Sequence, residues 1–168
     1  MHQRDEEFAE FFDARVAPMR RTAFLLCGDW HRAEDLVQTA LTKIYVAWPR
    51  ISRDGSVDAY ARKVLVRSAI DESRRAFRKR ETALRDVPDR GTAPPGVEDA
   101  VDLRNALAEL PQGQRAAVVL RYWEDQSVEA TAELLGCTTG TVKSQTARGL
   151  AALRRLLGTA QPATGGFR

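Results

Sequence analysis

Apolar residues recur every three or four positions along most of the chain, which is the spacing of one face of an α-helix. The first stripe covers residues 8–26 and the second covers residues 33–48, where Pro49 is predicted to end the helix. A third stripe covers residues 57–70, and the helix then becomes strongly basic. Three amphipathic helices of this length can enclose one core, so the pattern predicts a first helical domain over residues 5–83.

The helical pattern is interrupted and then resumes. Residues 84–97 are rich in proline and glycine and lack periodicity, which predicts a flexible linker. A short helix closed by Pro111, a helix over 114–123 and a final two-helix unit predict a second domain over residues 98–157. Residues 158–168 are predicted to form a disordered tail. The predicted fold is therefore all-α, with two small helical domains joined by a linker.

The final two-helix unit reads SVEATAELLGCTTGTVKSQTARGLAALRRLL, residues 127–157. Gly136 supplies the positive φ that ends many helices, and the small Ala132 lets the two helices approach closely. This pattern is typical of a helix-turn-helix that places its second helix in the DNA major groove. An ordinary helical hairpin with a solvated basic face is the alternative. The side chains on the second helix that suit phosphates or base edges are Thr139, Thr141, Lys143, Ser144, Gln145 and Arg148.

Charge and composition narrow the class of protein. A net charge of +3 over 168 residues is a weak argument for nucleic acid, but residues 62–85 hold nine Lys or Arg against three acids. Cys27 and Cys137 are isolated, and His2 and His31 are the only histidines, so we expect no metal site, no cofactor and no catalytic residues. Neither a membrane-spanning run nor a signal peptide is evident, which predicts a cytoplasmic protein.

Two segments resemble one protein family. GDWHRAEDLVQTALTKIYVAW, residues 28–48, resembles the region of bacterial sigma factors that docks on RNA polymerase. Residues 109–157 resemble the domain of those factors that reads the promoter −35 element. Together they resemble an extracytoplasmic-function (group IV) sigma factor of the SigE-like branch, over about residues 8–157. The resemblance implies a non-catalytic polymerase subunit that directs transcription initiation at specific promoters. The alternative is a free-standing helix-turn-helix regulator, which would leave residues 28–48 and the basic third helix unexplained.

The resemblance also implies protein partners. Glu34, Asp35 and Gln38 share one face of the second predicted helix. By resemblance this face docks on the clamp helices of the largest polymerase subunit, and the second domain meets the flap of the second-largest subunit. A solvated polar face is the alternative. An anti-sigma protein is a further candidate partner.

The resemblance assigns contacts with the −10 element to the third helix and to a predicted loop over 49–56. That loop would hold a base flipped out of the stack, which costs a few kcal/mol. Trp48 and Tyr60 could supply aromatic surface there or could pack in the core. The residues implicated in −10 binding and melting are Ile51, Ser52, Arg53, Lys63, Arg67, Arg74, Arg75 and Arg78.

Two positions depart from the family pattern. Arg67 stands where many members carry an asparagine that helps to line the base pocket. A guanidinium lacks the mixed donor and acceptor edge of an amide, so the resemblance does not specify the preferred base. Thr131 stands where a branched aliphatic residue is common in the first helix of the helix-turn-helix.

Overall fold

The computed structural model describes residues 2–82 and 98–160, and their regular structure is entirely helical. The predicted linker, residues 84–97, and residues 161–168 of the predicted tail lie outside the described residues. Contacts between Cα atoms divide the chain into two compact units, with the division between Gly91 and Thr92. No helix among the described residues is both long enough and apolar enough to cross a membrane.

The first unit consists of α1 (His2–Cys27), α2 (Trp30–Asp54) and α3 (Val57–Thr82). The central helix α2 packs against both of the others. The three predicted stripes supply the core, which confirms the helices predicted from their spacing. The buried apolar side chains of α2 are Ala33, Leu36, Val37, Ala40, Leu41, Ile44, Trp48 and Ile51.

The turn from α1 to α2 is set by local chemistry. The carboxylate of Asp29 accepts hydrogen bonds from the backbone N–H groups of His31 at 2.7 Å and Arg32 at 3.1 Å, so it caps α2. Beside it, the buried thiol of Cys27 donates to the carbonyl oxygen of Asp29 at 3.3 Å. Burial raises the pKa of Cys27 to about 11. The thiol is therefore protonated at neutral pH, as expected of a cysteine that packs in a core.

The prediction that Pro49 ends the second helix is wrong. Helix α2 continues through Pro49 and ends at Gly55, which adopts a left-handed φ of 65°. The predicted loop over 49–56 is therefore reduced to a short turn around Gly55. Proline has no N–H to donate to the carbonyl four residues earlier, which belongs to Tyr45. The guanidinium of Arg4 replaces that donor, because its Nη2 lies 2.7 Å from the Tyr45 carbonyl oxygen.

The second unit follows the predicted order of helices. Helix α7 continues to Ala160, so the predicted disorder is wrong for residues 158–160. The elements are α4 (Glu98–Glu109), α5 (Gln112–Val118), a π-helical turn (Val119–Trp123), α6 (Val128–Leu135) and α7 (Thr139–Ala160). Among the buried core side chains are Leu107, Leu110, Ala117, Leu120, Val142 and Leu153.

Helices α5 and α7 approach closely at Gly149, which is buried. A Cβ atom at this position would lie 2.7 Å from Val118 Cγ2 and 3.2 Å from the carbonyl oxygen of Gln114. Only a residue without a side chain allows this spacing. The sequence analysis attributed close packing to Ala132, and the role of Gly149 was missed.

Helix α6 has a polar group in its buried face. Thr131 has 0% of its surface exposed, and its hydroxyl oxygen has no hydrogen-bond partner. A branched aliphatic side chain would fill a similar space without burying a hydroxyl. The departure from the family pattern at this position therefore has a cost in stability.

Candidate nucleic-acid interface

Local residues fix the helix ends of the helix-turn-helix. Ser127 caps α6, because its Oγ accepts the backbone N–H of Ala130 at 3.0 Å. Gly136 ends that helix with a φ of 66°. Thr138 caps α7, because its Oγ1 accepts the backbone N–H of Thr141 at 3.2 Å. Ser127 and Thr138 therefore satisfy exposed backbone amides at the starts of α6 and α7, and Gly136 allows the chain to reverse between them.

Helix α7 has two distinct faces. Its buried face consists of Val142, Thr146, Gly149 and Leu153. The exposed side carries five of the six residues predicted to read the −35 element, and Ala147 and Ala151 lie near its centre. Lys143 and Arg148 are about 140° apart around the helix axis, so they border this face on opposite sides. The five exposed predicted residues are Thr139, Thr141, Lys143, Ser144 and Arg148.

Gln145 is the predicted reader that the structure places differently. It is half-buried on the side of α7 that meets α5. A methyl group added at Gly113 would lie 3.2 Å from Gln145 Nε2. The amide of Gln145 is therefore next to α5 and away from the centre of the exposed face. A base edge is therefore less accessible to Gln145 than to Lys143 or Arg148.

Two hydroxyl groups on α7 already have partners within the helix. Thr141 Oγ1 lies 3.0 Å from Thr138 Oγ1. Ser144 Oγ donates to the carbonyl oxygen of Thr141 at 3.1 Å. Each oxygen keeps lone pairs, and these internal bonds hold the hydroxyls in defined positions at the exposed surface.

Helix α3 of the first unit carries a basic stripe, which we define as Lys63, Arg67, Arg74 and Arg78. All four residues are exposed. At 100° per residue they fall within a sector of about 60°, and they extend over about 22 Å of helix. That length matches about six base-pair steps at 3.4 Å each. Arg75, also predicted to contact DNA, is exposed beside the stripe.

One aromatic residue in this region was missed by the sequence analysis. Phe77 lies in the basic segment of α3 and has 64% of its surface exposed. An apolar residue inside a run of cations was the available signal. Exposed aromatic rings among cations are suited to stacking on unpaired bases.

The predicted −10 residues that precede α3 lie at the end of a helix and not in a loop. Arg53 is exposed and Ser52 is half-buried in the last turns of α2. Ile51 has only 2% of its surface exposed and packs in the core, so its predicted contact with a base does not fit this structure. Trp48, at 6% exposed, is also a core residue. Tyr60 is half-buried, and the guanidinium carbon of Arg50 lies 5.5 Å from its ring centre.

The predicted docking face on α2 is only partly available. Glu34 forms an ion pair with Arg20 of α1, with 2.7 Å between the carboxylate Oε1 and the Nε atom. Asp35 and Gln38 are exposed on the same side of the helix. These two residues therefore form the accessible part of the face that sequence analysis assigned to polymerase.

Among residues 2–82 and 98–160, no three His, Cys, Asp or Glu side chains are grouped as a metal site would require. One unit presents a helix-turn-helix with cations bordering its exposed face, and the other presents the basic stripe of α3. This combination defines a helical protein with two separate surfaces suited to DNA.

Comparison with known proteins identifies the family. The Sigma-70 region 2 family model matches residues 11–80, and the Sigma-70 region 4 model matches residues 100–153. The RNA polymerase sigma-E factor of Streptomyces avermitilis is 38% identical over 154 residues, covering 90% of this chain and 85% of that protein. The ECF RNA polymerase sigma factor SigM of Mycobacterium tuberculosis is 33% identical over 151 residues, covering 90% of this chain and 77% of that protein.

A solved structure agrees with these sequence relatives. The sigma factor RpoE of Bartonella quintana, crystallised with the anti-sigma factor NepR, matches with a TM-score of 0.74 and 25% identity. The match covers 93% of this chain and 99% of that chain. The protein belongs to the extracytoplasmic-function RNA polymerase sigma factors, and it acts in transcription initiation.

Proposed function

We propose that this chain binds core RNA polymerase through α2 and directs it to promoters that have two separated DNA elements. Helix α7 reads the −35 element in the major groove, and the basic stripe of α3 contacts the −10 element as the duplex opens. The observation that carries this proposal is the presence of a DNA-suited surface on each of the two units. Two weak readers on one chain gain affinity because binding of the first raises the effective concentration of the second.

The partners of the proposed complex follow from the family resemblance. Asp35 and Gln38 dock on the clamp helices of the largest subunit, and the second unit meets the flap of the second-largest subunit. An anti-sigma protein is a further partner, supported by the relative that was solved with NepR. The chain acts where the polymerase and the chromosome are, in the cytoplasm. A free-standing regulator would need only the second unit and would leave the basic stripe of α3 without a role.

Transcription in a purified system tests this function. Core RNA polymerase with the protein is expected to initiate on a subset of a randomised promoter library, and the selected templates should share two sequence elements. Core polymerase alone provides the baseline. If the protein enriches templates with a −35-like element in a binding assay but never supports initiation by core polymerase, a free-standing regulator is the correct assignment.

Alanine variants of Lys143 and Arg148 should separate base reading from phosphate contact. Lys143 lies nearer the N-terminus of α7, the end that enters the groove in helix-turn-helix proteins. We therefore expect Lys143→Ala to weaken −35 binding by about 1–3 kcal/mol and to relax preference at one base pair. We expect Arg148→Ala to weaken all sequences alike and to reduce the salt slope by about one unit.

The measurement is a titration of −35 duplex variants at several salt concentrations. Arg154→Ala is the matched control, since Arg154 is exposed further along the same helix and was not predicted to read bases. Selective loss from Arg148→Ala with uniform loss from Lys143→Ala would reverse the two roles.

A further inference from the structure

Helix α2 is completed at Pro49 by a side chain from another helix. The carbonyl oxygen of Tyr45 has no backbone donor at position 49, because proline lacks an N–H. Arg4 of α1 donates to this oxygen from Nη2 at 2.7 Å. The guanidinium carbon of Arg4 also lies 4.4 Å from the centre of the Tyr45 ring, within the range of a cation–π contact. A single side chain thus replaces the missing backbone hydrogen bond and covers the ring beside it.

Neighbouring contacts fix the positions of Arg4 and Tyr45 relative to each other. The Tyr45 hydroxyl donates to Asp5 Oδ1 at 2.8 Å, and this hydrogen bond raises the pKa of Tyr45. The ring of Phe8 meets the rings of Tyr45 and Trp48 edge to face, with centres 5.0 Å and 5.5 Å apart. The first two turns of α1 therefore pack against α2 immediately before Pro49.

The part of α2 beyond Pro49 leads into the proposed −10 surface. It carries Ser52 and Arg53, ends at the left-handed Gly55, and is followed directly by α3. Helices kink at proline when the freed carbonyl turns away from the axis. A donor on that carbonyl opposes the kink, and it thereby sets the direction in which the last turn of α2 meets α3.

We infer that Arg4 is a positioning residue for the −10 surface, acting by completing α2 at Pro49. This inference rests on the proposed function, in which the segment after Pro49 and α3 contact the −10 element. The docking residues Asp35 and Gln38 precede Pro49 by more than two helical turns. A change in direction at Pro49 therefore alters −10 recognition and leaves polymerase docking intact.

The variant Arg4→Met tests this role in assembled holoenzyme. Its unbranched side chain preserves much of the apolar stem and removes the donor. We expect about tenfold weaker binding to a fork-junction DNA that carries a −10 strand without a −35 element, a loss typical of a hydrogen bond to a charged group. Affinity for core polymerase should change by less than about twofold. Arg21→Met, an exposed arginine on the same helix, is the matched control and should leave both affinities unchanged.

A second substitution distinguishes this mechanism from general stabilisation of the first unit. Pro49→Ala restores a backbone N–H that can pair with the Tyr45 carbonyl, so the guanidinium is no longer needed for that bond. In a Pro49→Ala background, Arg4→Met should change fork-junction binding by less than about twofold. Equal losses in both backgrounds would overturn the inference, and so would a loss of polymerase affinity that parallels the loss of −10 binding.

Hydrogen exchange in the free protein gives a readout that does not depend on DNA. Arg4→Met should speed amide exchange at residues 50–55 when Pro49 is present, and Pro49→Ala should suppress this effect. Unchanged exchange in Arg4→Met would overturn the positioning role. A different outcome is that the exchange rates change as expected while binding of the wild-type holoenzyme does not depend on the −10 sequence. In that case the proposed function of this segment is wrong, and so is the role of Arg4 in −10 recognition.

Discussion

Gly149→Ala is expected to lower the free energy of unfolding of the second unit by about 1–3 kcal/mol, the usual cost of overpacking a well-filled core. Alanine is the better helix former by up to about 1 kcal/mol, so propensity alone predicts the opposite sign. The clash decides the outcome, because the new methyl would lie 2.7 Å from a methyl of Val118 and 3.2 Å from a backbone carbonyl oxygen. Val118 is buried and β-branched, so it has little freedom to move aside.

Gly158→Ala is the matched control on the same helix. Apart from the adjacent backbone of its own helix, no atom lies within 4 Å of a Cβ built at Gly158, so this variant should gain stability from propensity alone. Native-state hydrogen exchange in α5 and α7 of the full chain would measure both effects. Stabilisation by Gly149→Ala similar to that from Gly158→Ala would show that α5 and α7 do not pack as closely as described.

The double substitution Asp35→Arg with Gln38→Ala is expected to weaken assembly with core polymerase by tenfold or more, while the helical content stays unchanged. Reversing the charge places a cation opposite the basic residues that we expect on the clamp helices, and like charges across an interface cost several kcal/mol. Both side chains are exposed, so the free energy of unfolding should change by no more than about 0.5 kcal/mol. Glu34 is left unaltered because it pairs with Arg20 within the unit.

Fluorescence titration of core polymerase with labelled protein would measure this loss, and circular dichroism would check the fold. Lys43→Glu is the control, since it reverses an exposed charge on α2 at least about 80° around the axis from both residues. It should change the affinity by less than about threefold. Assembly of the double variant with wild-type affinity would show that polymerase docks elsewhere.

Local signals made much of the fold predictable from sequence. The apolar spacing of α1, α2 and α3 and the cap at Asp29 each depend on residues within a few positions of one another. The end of α2 was not predictable in this way. At Pro49 the freed carbonyl of Tyr45 accepts a hydrogen bond from Arg4, which is 41 positions away in the sequence. No window along the chain shows that this donor will be present.

The candidate surfaces were likewise predictable only where local signals decide the position of a residue. The helical period was enough to place Lys143 and Arg148 at the exposed face of α7. The position of Gln145 depends on the absence of a side chain at Gly113 in another helix. Similarly, the ion pair of Glu34 depends on how α1 lies against α2. Partners distant in the sequence therefore decide which of the predicted polar residues remain accessible.

The separation of the two faces of α7 has a consequence for how such proteins diverge. Folding depends on Val142, Thr146 and Gly149, whereas Ala147 and Ala151 lie on the opposite face and present only methyl groups to solvent. Exchanges at these two exposed positions would alter the surface offered to a groove at little cost in stability. Duplicated copies of the gene could thus acquire new promoter preferences by single substitutions while keeping one scaffold.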